Sequence, residues 1–416
     1  MSKKIDERFP QDLGKKLYQS YAAIRSPWGK LIDFHDTTHF VMRYTVGISA
    51  YVMETLRILI PDYVERSTLM CETFYEEATT LYCALDENGE SPIFNLVNIH
   101  PFLNGGFIMA LSADQGDETG LVPGRVADFG SYRVEKELDV CVWDIVGSEI
   151  CRAATLLGQG VGDGLAKYTP DGGPLVEFNM VEAIGCGDRH CRLIAENREK
   201  YPMPEKEIWQ RFGPIATDDY IKYTPEEECI TEPMWLRGDN NYVYSGGTNV
   251  EIDETMFLMS STMCSDAMIL FPFVREGIKR GIFTKAEFDN TFKCVCEAAG
   301  KAAFIEPFAK EGLRRWLNAP SDINDGRLLG GYIEVYLQGM LNQHEVEAFN
   351  KDEVILVFDR KEMSPFATPE FVDGLLSYWY GMARTLVGTQ WALWEEDSPE
   401  GKVRIKIAKK IDKFSR

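Results

Sequence analysis

The same order of hydrophobic patterns occurs twice along this chain, and this repetition restricts its fold more than any other feature. Apolar residues three and four apart, the period of a helix, run from Leu13 to Leu85 and again from Met256 to Trp316. Alternating apolar and polar residues then predict half-buried strands at 131–142 and at Val354–Phe358. The order predicts an α+β fold of two related halves, each a helical segment followed by a small antiparallel sheet-and-helix unit.

Each half closes with the same kinds of element. In the first half a helix pattern starts at Asp144, and two strand patterns joined by a glycine turn fill 174–196. In the second half a helix is predicted at Pro369–Val387, followed by the strand patterns QWALWEE and KVRIKIAKK. Between these parts, Asn88–Gly130 is rich in proline and glycine and is predicted to be loop. The predicted domains are 1–200 and 251–416, joined by a polar linker at 201–250.

The two halves can also be aligned residue by residue. A shift of 223 positions places Arg133 on Leu356, and after a gap Arg192 falls on Arg404. The reactive residue types are present only in the first half of this alignment. Those residues are Cys141, Asp188, His190 and Cys191, and their counterparts are Ser364, Glu400, Lys402 and Val403. The alignment therefore predicts that the first half alone carries the chemistry.

Composition excludes several classes of function. The chain has 65 acidic and 44 basic residues, and the resulting net charge of −21 would repel nucleic acid and anionic membrane surfaces. The most apolar window, Phe40–Pro61, is interrupted by charged residues, so it predicts a core helix rather than a membrane span. The charged N-terminus has no apolar stretch behind it, and ten cysteines are too few for a disulfide scaffold. We therefore expect a cytoplasmic protein.

A motif in the first half resembles a known family. CVWDIVGSEICR, followed by a strand and then GDRHCR, resembles the L-2-aminothiazoline-4-carboxylate hydrolase family. It also resembles the wider 4-vinyl-reductase-type small-molecule-binding domain, whose closing hairpin carries a Gly-Asp/Glu-x-x-Cys signature. The resemblance covers Tyr132–Glu196, with a degenerate echo at Val354–Ile407. It implies either the opening of a five-membered cyclic amidine ring by water or the sensing of phenolic compounds.

The sensor branch of that domain binds zinc through a Glu, a Cys three residues on and a Cys eight further on. Counting back from Cys191, the matching positions hold Ala183 and Met180, which cannot bind zinc. Glu182 and Cys186 lie nearby at shifted spacing, and a shift of one residue on a strand reverses the face. We therefore expect no structural zinc at Glu182, Cys186 and Cys191.

The sequence Asp188-Arg189-His190-Cys191 places an acid, an imidazole and a thiol within four residues. A thiolate is a nucleophile, and an imidazole is a general acid or base near neutral pH. Alternation on a strand places Cys191 and His190 on opposite faces, so they would not pair with each other. The alternative interpretation is a tight turn at Gly187-Asp188 with a buried cysteine.

A second group of reactive residues lies at the predicted strand-to-helix junction. Backbone amides at a helix start favour developing negative charge, which makes Cys141 a candidate nucleophile. Asp144 is a second catalytic candidate, or else the N-cap of the helix. Glu149 and Cys151 follow in the predicted helix, and Glu149 is a candidate for substrate binding. Cys141 could equally be a core cysteine.

Two histidines mark a candidate metal or ligand site. His35 and His39 are four residues apart and share one face of a predicted helix, as zinc ligands often do. Glu72 and Glu76 have the same spacing on another helix, so a divalent metal is a candidate cofactor, although the sequence requires none. Alternatively His35 and His39, with Glu149 and Glu182, line a substrate pocket.

The leading hypothesis is a hydrolase that opens a small heterocyclic or cyclic-carbonyl ring. Water or Cys141 would attack an electrophilic carbon, Asp188 or His190 would transfer protons, and Cys191 would shape the pocket or replace Cys141 as nucleophile. The alternatives are a non-catalytic small-molecule sensor and a metal-dependent hydrolase of a cyclic 1,3-dione. The expected partner is a small molecule, and a homo-oligomer remains an open alternative to a monomer.

Overall fold

The structure is a computed structural model of the 416-residue chain. It describes residues 25–32, 34–81, 125–129, 133–138, 146–151, 153, 155–156, 176–197, 270–305, 307–339, 342–360, 363 and 369–410. The chain divides into two units, which we call unit 1 (Met1–Gly14 with Leu56–Ile282) and unit 2 (Lys15–Thr55 with Phe283–Arg416). The predicted linker at 201–250 lies outside the described residues, and the predicted domain boundaries stay predictions.

The described chain is α+β, as predicted. Its helices are α1 (Phe34–Leu59), α2 (Tyr63–Leu81), α3 (Phe271–Lys279), α4 (Lys285–Ala302), α5 (Pro307–Leu317), α6 (Arg327–Gly339) and α7 (Pro369–Met382). Its strands are β1 (Arg125–Phe129), β2 (Arg133–Leu138), β3 (Val176–Glu182), β4 (Cys191–Asn197), β5 (His344–Phe349), β6 (Glu353–Asp359), β7 (Trp391–Glu396) and β8 (Lys402–Lys409). No helix among the described residues is long and apolar enough to cross a membrane.

The strands form two small antiparallel sheets, one in each unit. The strand order of the first sheet is β1-β2-β4-β3, and that of the second is β5-β6-β8-β7. Counted in chain order within each sheet, the second and fourth strands therefore lie in the middle: β2 and β4 in the first sheet, and β6 and β8 in the second. Residues 149–151 are helical, so a helical segment stands between β2 and β3 as α7 stands between β6 and β7.

In unit 1 the apolar face of the first sheet supplies part of the core. Met180 of β3 is the ladder partner of Leu193 on β4, and both side chains are buried. Elsewhere in the unit, α2 packs against α3, and Phe74 and Phe271 on these two helices are also buried. On the sheet, buried Cys191 lies two residues before Leu193 on the same face as Met180, which makes that face apolar.

In unit 2 the helices α4 and α7 touch through their main chains. A methyl group placed on Gly300 would overlap the carbonyl oxygen of Tyr378, and one placed on Gly381 would overlap that of Glu297. Only glycine permits two helices to approach this closely at both points. The capping box predicted by Thr284 and Glu287 is present at the start of α4, where each side chain accepts a hydrogen bond from the other's backbone N–H.

An aromatic cluster completes the core of unit 2. Trp379 of α7 is fully buried and packs edge-to-face with Tyr336 of α6 and Phe358 of β6, at ring-centroid distances of 5.8 and 6.2 Å. Edge-to-face packing is the arrangement that the charge distribution of aromatic rings favours. The cluster therefore joins the sheet to two helices at the centre of the unit.

Several predicted elements are confirmed and others were missed. The strands β6, β7 and β8 and the helix α7 lie where the sequence predicts them, although the last five residues of the predicted helix, Ala383–Val387, form a π-helical turn. The strand β1 lies within the segment predicted to be loop, so that prediction is wrong. The strand β5 and the helix α6 were not predicted, and the helical stretch predicted up to Trp316 is broken between α3, α4 and α5.

Candidate functional site

Residues 183–190 connect β3 to β4. The GDRHC motif, Gly187–Cys191, fills the second half of this connection and the first position of β4. This connection holds a single 3₁₀ turn, Ile184–Cys186, which ends at Gly187 in the left-handed conformation with φ 87°. Asp188 closes the turn, since its Oδ2 accepts a hydrogen bond of 2.8 Å from the N–H of Ala183. The backbone N–H of Asp188 also donates to the carbonyl oxygen of Ala183, at 3.1 Å. The Asp188 carboxylate therefore has a structural role in this turn.

Cys191 begins β4 on the apolar face of the first sheet. Its side chain is only 5% exposed and lies on the same face as Leu193. The backbone N–H of Ile184 donates to Sγ at 3.3 Å, so the 3₁₀ turn fixes the position of the sulfur. A nucleophile must meet its substrate, and this burial restricts access to the Cys191 sulfur.

His190 and Glu182 lie in close contact at the end of β3. The distance between His190 Nε2 and Glu182 Oε2 is 2.6 Å, and both side chains are 33% exposed. The Glu182 Oε2 atom is itself buried and does not meet hydrogen-bond geometry, so the contact is one of proximity. The exposed parts of the two side chains are where a small molecule can approach. As the sequence predicts, His190 and Cys191 do not pair with each other.

Arg192 extends this pair into a larger polar cluster. Its Nη1 lies 3.1 Å from Glu135 Oε1 on β2, and its Nε lies 3.8 Å from Glu182 Oε2. A bulge between Met180 and Glu182 shifts the register, so that Glu182 is the ladder partner of Arg192. Glu135, Glu182, His190 and Arg192, which we call the polar cluster, thus place two carboxylates, an imidazole and a guanidinium together.

Two further cysteines approach the 3₁₀ turn. Cys186 within the turn is fully buried, and Cys151 Sγ lies so close to Gly185 that an added methyl group there would come within 2.6 Å. Thiolates are ligands of zinc and other soft metals. Within the described residues, no three His, Cys, Asp or Glu side chains stand close enough together to hold a metal ion.

Glu149, a predicted substrate-binding residue, is buried between two arginines. Arg66 binds both of its carboxylate oxygens, at 2.7 and 3.1 Å, and Arg57 Nε lies 3.0 Å from Oε1. Burial alone would raise the pKa of Glu149, but the hydrogen bonds and charge of the two arginines outweigh it and lower that pKa. The same arginines donate to backbone carbonyls, those of Val146 and Ile60. The carboxylate therefore joins α1, α2 and the helical segment that begins at Glu149.

The remaining candidates are placed only in part. Cys141 and Asp144 lie outside the described residues. His35 and His39 lie on α1 and Glu76 lies on α2, but their side chains also fall outside the described part of the chain. Glu72 is on α2, and its Oε2 is 2.9 Å from Arg280 Nη1 rather than in a described group of metal ligands.

The matching connection of the second sheet has no imidazole or thiol, although His344 lies at the same end of that sheet, at the start of β5. Its connection, residues 397–401, is shorter than residues 183–190 and has no 3₁₀ turn. At its end Lys402 Nζ lies 3.4 Å from Asp359 Oδ2, and Val403 is fully buried. The reactive side chains described above therefore belong to the first sheet.

The second sheet has an arginine, Arg404, at the position that corresponds to Arg192. Arg404 is the ladder partner of Glu396 and forms an ion pair with it, and Arg404 Nη2 also lies 2.8 Å from Glu347. Arg192 also has two carboxylate neighbours in the first sheet, of which Glu182 on β3 matches Glu396 on β7, whereas Glu135 lies on β2 and Glu347 on β5. The sequence alignment of Arg192 with Arg404 predicts this correspondence, but nothing in the sequence indicated the acidic partners.

In comparisons with protein families, characterised proteins and solved structures, the chain has no significant match.

Proposed function

We propose that this chain is a hydrolase that opens a small heterocyclic or cyclic-carbonyl ring, with His190 as its acid–base group. The observation that carries the proposal is the contact of 2.6 Å between His190 Nε2 and Glu182 Oε2. With the Glu182 carboxylate beside Nε2, Nδ1 would take a proton from water and return it to the leaving nitrogen or oxygen.

The other residues of the motif support this role in different ways. Asp188 holds the 3₁₀ turn through its bond to Ala183, so we assign it to positioning rather than to proton transfer. Cys191 is buried beneath the same turn, which suits a residue that shapes the pocket. Cys141 remains the proposed nucleophile of a covalent route, with attack by water as the alternative. Glu182, first considered for substrate binding, becomes the partner of His190.

A non-catalytic binding protein is the second candidate. The observation that favours it is the burial of the two thiols in the motif, since Cys191 is 5% exposed and Cys186 is fully buried. Buried thiols are more often small apolar side chains than nucleophiles. In this case the polar cluster would bind the ligand, and turnover would be absent.

We also propose that the two sheets arose by duplication of one unit. Three features support this. The two sheets have the same strand order, each has a helical segment between its second and third strands, and each has a bulge in its first strand. The bulges lie between Val126 and Asp128 in β1 and between Val346 and Ala348 in β5. Each bulge lies opposite the third and fourth residues of the neighbouring strand, which is β2 in the first sheet and β6 in the second. In the duplicate, the second sheet would have lost the imidazole and the thiol.

The test is a turnover assay on the purified full-length chain. L-2-aminothiazoline-4-carboxylate, a lactam, a cyclic imide and a cyclic 1,3-dione serve as substrates, and mass spectrometry follows the addition of one water molecule. We expect ring opening of at least one substrate in the wild type, loss of activity in His190→Gln, and unchanged activity in Lys402→Gln at the matched position. Full activity in His190→Gln would contradict the assignment of this site.

A second pair of variants tests the nucleophile. If Cys141 attacks the ring, Cys141→Ser should lower turnover by several orders of magnitude, and Ser364→Ala should leave it within a few-fold. Saturable binding of a substrate without turnover in the wild type would instead favour the binding protein. Activity lost on metal removal and in His39→Ala would favour the metal-dependent hydrolase. We further propose that the protein works in the cytoplasm, where thiols stay reduced.

A further inference from the structure

Residues 25–32 form a small turn that docks on α6 in unit 2. The turn is closed by a β-bridge between Arg25 and Leu31 and by a hydrogen bond of 2.9 Å from the N–H of Ser26 to the carbonyl oxygen of Lys30. The side-chain amide of Gln338 on α6 binds both backbone groups of Arg25, accepting from its N–H at 2.9 Å and donating to its carbonyl oxygen at 2.8 Å. One end of the turn is thus held by α6.

The other contact of the turn is an aromatic ring. The Trp28 ring lies against Gly331 of α6, where an added methyl group would come within 2.8 Å of it. Trp28 also packs edge-to-face against Phe349 of β5, with ring centroids 5.8 Å apart. The turn therefore covers the face of α6 that runs from Gly331 to Gln338.

Glu334 lies on this covered face of α6. It follows Gly331 by three residues and precedes Gln338 by four, and such residues lie above one another on a helix. Its side chain is half-buried, and burial, rather than a neighbouring charge, raises its pKa from 4.5 to about 7. The charged and titratable groups on α6 itself and on the elements around it are Arg25, Lys30, Lys310, Glu311, Arg314, Arg315, Arg327, Tyr332, Tyr336, His344, Glu345, Glu347, Glu353, Asp359, Glu370, Asp373, Tyr378, Tyr380 and Arg384.

We propose that protonation of Glu334 controls the docking of the 25–32 turn on α6, which makes the turn a pH-sensitive switch. The neutral carboxylic acid is compatible with the cover formed by Trp28 and the Arg25 backbone. The ionised carboxylate needs water, which it obtains when the turn lifts from the helix.

The direction of the effect follows from the raised pKa. The docked state binds a proton more tightly than the undocked state, so docking is strongest at low pH. It weakens as the pH rises from the ordinary value of 4.5 toward about 7, and it changes little above that. If Glu334 is fully hydrated once the turn lifts, the undocked fraction should be at least about tenfold larger at pH 7.5 than at pH 5.5.

The undocked fraction can be measured by hydrogen exchange of the full-length protein. Mass spectrometry gives the protection factors of residues 25–32. We expect about tenfold lower protection at pH 7.5 than at pH 5.5 in the wild type. In Glu334→Gln the side chain cannot ionise, so high protection should persist at both pH values. Glu345→Gln, which removes an exposed carboxylate from β5, should behave as the wild type does.

Two outcomes would overturn the switch. The first is equal protection of residues 25–32 at the two pH values in the wild type. The second is a pH dependence in Glu334→Gln that matches the wild type. Circular dichroism of Glu334→Gln checks that the variant is folded, and because the amide has nearly the size of the acid we expect an unchanged spectrum. None of these measurements depends on the hydrolase activity proposed above.

Discussion

The carboxylate of Glu182 meets the imidazole of His190 across the end of β3, with 2.6 Å between Oε2 and Nε2. The two residues are separated by the whole β3–β4 connection, and the bulge after Met180 turns Glu182 toward the polar face. The pair is therefore a product of the local fold, and its chemistry can be tested one side chain at a time.

The first prediction concerns this pair. Glu182→Gln keeps the shape of the side chain but removes the negative charge beside His190 Nε2. We expect kcat to fall by about 10²–10⁴-fold, the usual contribution of a positioned acid–base group, with a smaller change in KM. Glu396→Gln, at the matching position of the second sheet, is the control and should keep the wild-type kcat.

A second prediction concerns the buried ion cluster. Glu149→Gln leaves Arg66, which is almost fully buried, without a charged partner, and it should lower the free energy of unfolding by about 3 kcal/mol. Urea denaturation followed by circular dichroism measures the loss. Glu65→Gln is the control: it changes an exposed carboxylate on α2, next to Arg66 in the sequence, and should lower the free energy of unfolding by less than about 1 kcal/mol.

The same ion cluster predicts that the folded protein loses stability at acid pH. The pKa of Glu149 is lowered in the folded protein, so its contribution is present above the ordinary value of 4.5 and is lost as the pH falls below that value. Urea denaturation between pH 6 and pH 3 should show this loss in the wild type. In Glu149→Gln the loss should be smaller, and an equal loss in both proteins would assign it to other carboxylates.

A third prediction concerns the contact between α4 and α7. Gly300→Ala forces a methyl group into the carbonyl oxygen of Tyr378, and we expect a loss of about 3 kcal/mol or more in stability. Gly312 lies in α5 with open space where its Cβ would be, so Gly312→Ala should stabilise the helix by about 0.5–1 kcal/mol. Thermal unfolding of the two variants should therefore shift in opposite directions.

A fourth prediction concerns metal content. Because the spacing of Glu182, Cys186 and Cys191 departs from that of the zinc-binding sensors, we expect no stoichiometric zinc in the protein purified without chelators. Elemental analysis measures this directly. One zinc per chain that is lost in Cys186→Ala would contradict this expectation and place the metal at the 3₁₀ turn. A metal lost instead in His39→Ala would place it on α1.

The sequence predicts those elements whose pattern is strong and local. The strand β6 is marked by five consecutive apolar residues in EVILVFD, and the capping box at Thr284 specifies where α4 begins. The strand β5 was missed because no residue of HEVEAF is buried, which leaves little apolar signal. The helix α6 was missed because its two adjacent glycines, Gly330 and Gly331, weaken a helical pattern that only tertiary packing completes.

The alignment of the two halves shows a different limit. Arg192 is the ladder partner of Glu137, and Arg404 that of Val357, so the sheets place Arg133 at the level of Glu353. The sequence alignment places Arg133 three residues further along, on Leu356. Since strand faces alternate, an odd shift exchanges the inner and outer faces, and sequence similarity between short strands is too weak to exclude it.

The site was predicted through its residue types but not through its contacts. The sequence predicts His190 and Cys191 on opposite faces of one strand, but β4 begins only at Cys191 and His190 belongs to the preceding connection. The partnership of His190 with Glu182 depends on a bulge, and that of Arg192 with Glu135 depends on strand pairing. Neither relationship is encoded in a local pattern, so neither could be read from the sequence.

The bulges of β1 and β5 have a consequence for how the protein behaves in solution. These strands are the outermost described strands on one side of their sheets, where unpaired N–H and C=O groups could template the addition of a strand from another molecule. A bulge interrupts that template in each sheet, and Glu345 adds an exposed carboxylate along β5. An incoming strand would meet a bent backbone on either sheet, so this side of both sheets is protected against growth into aggregates.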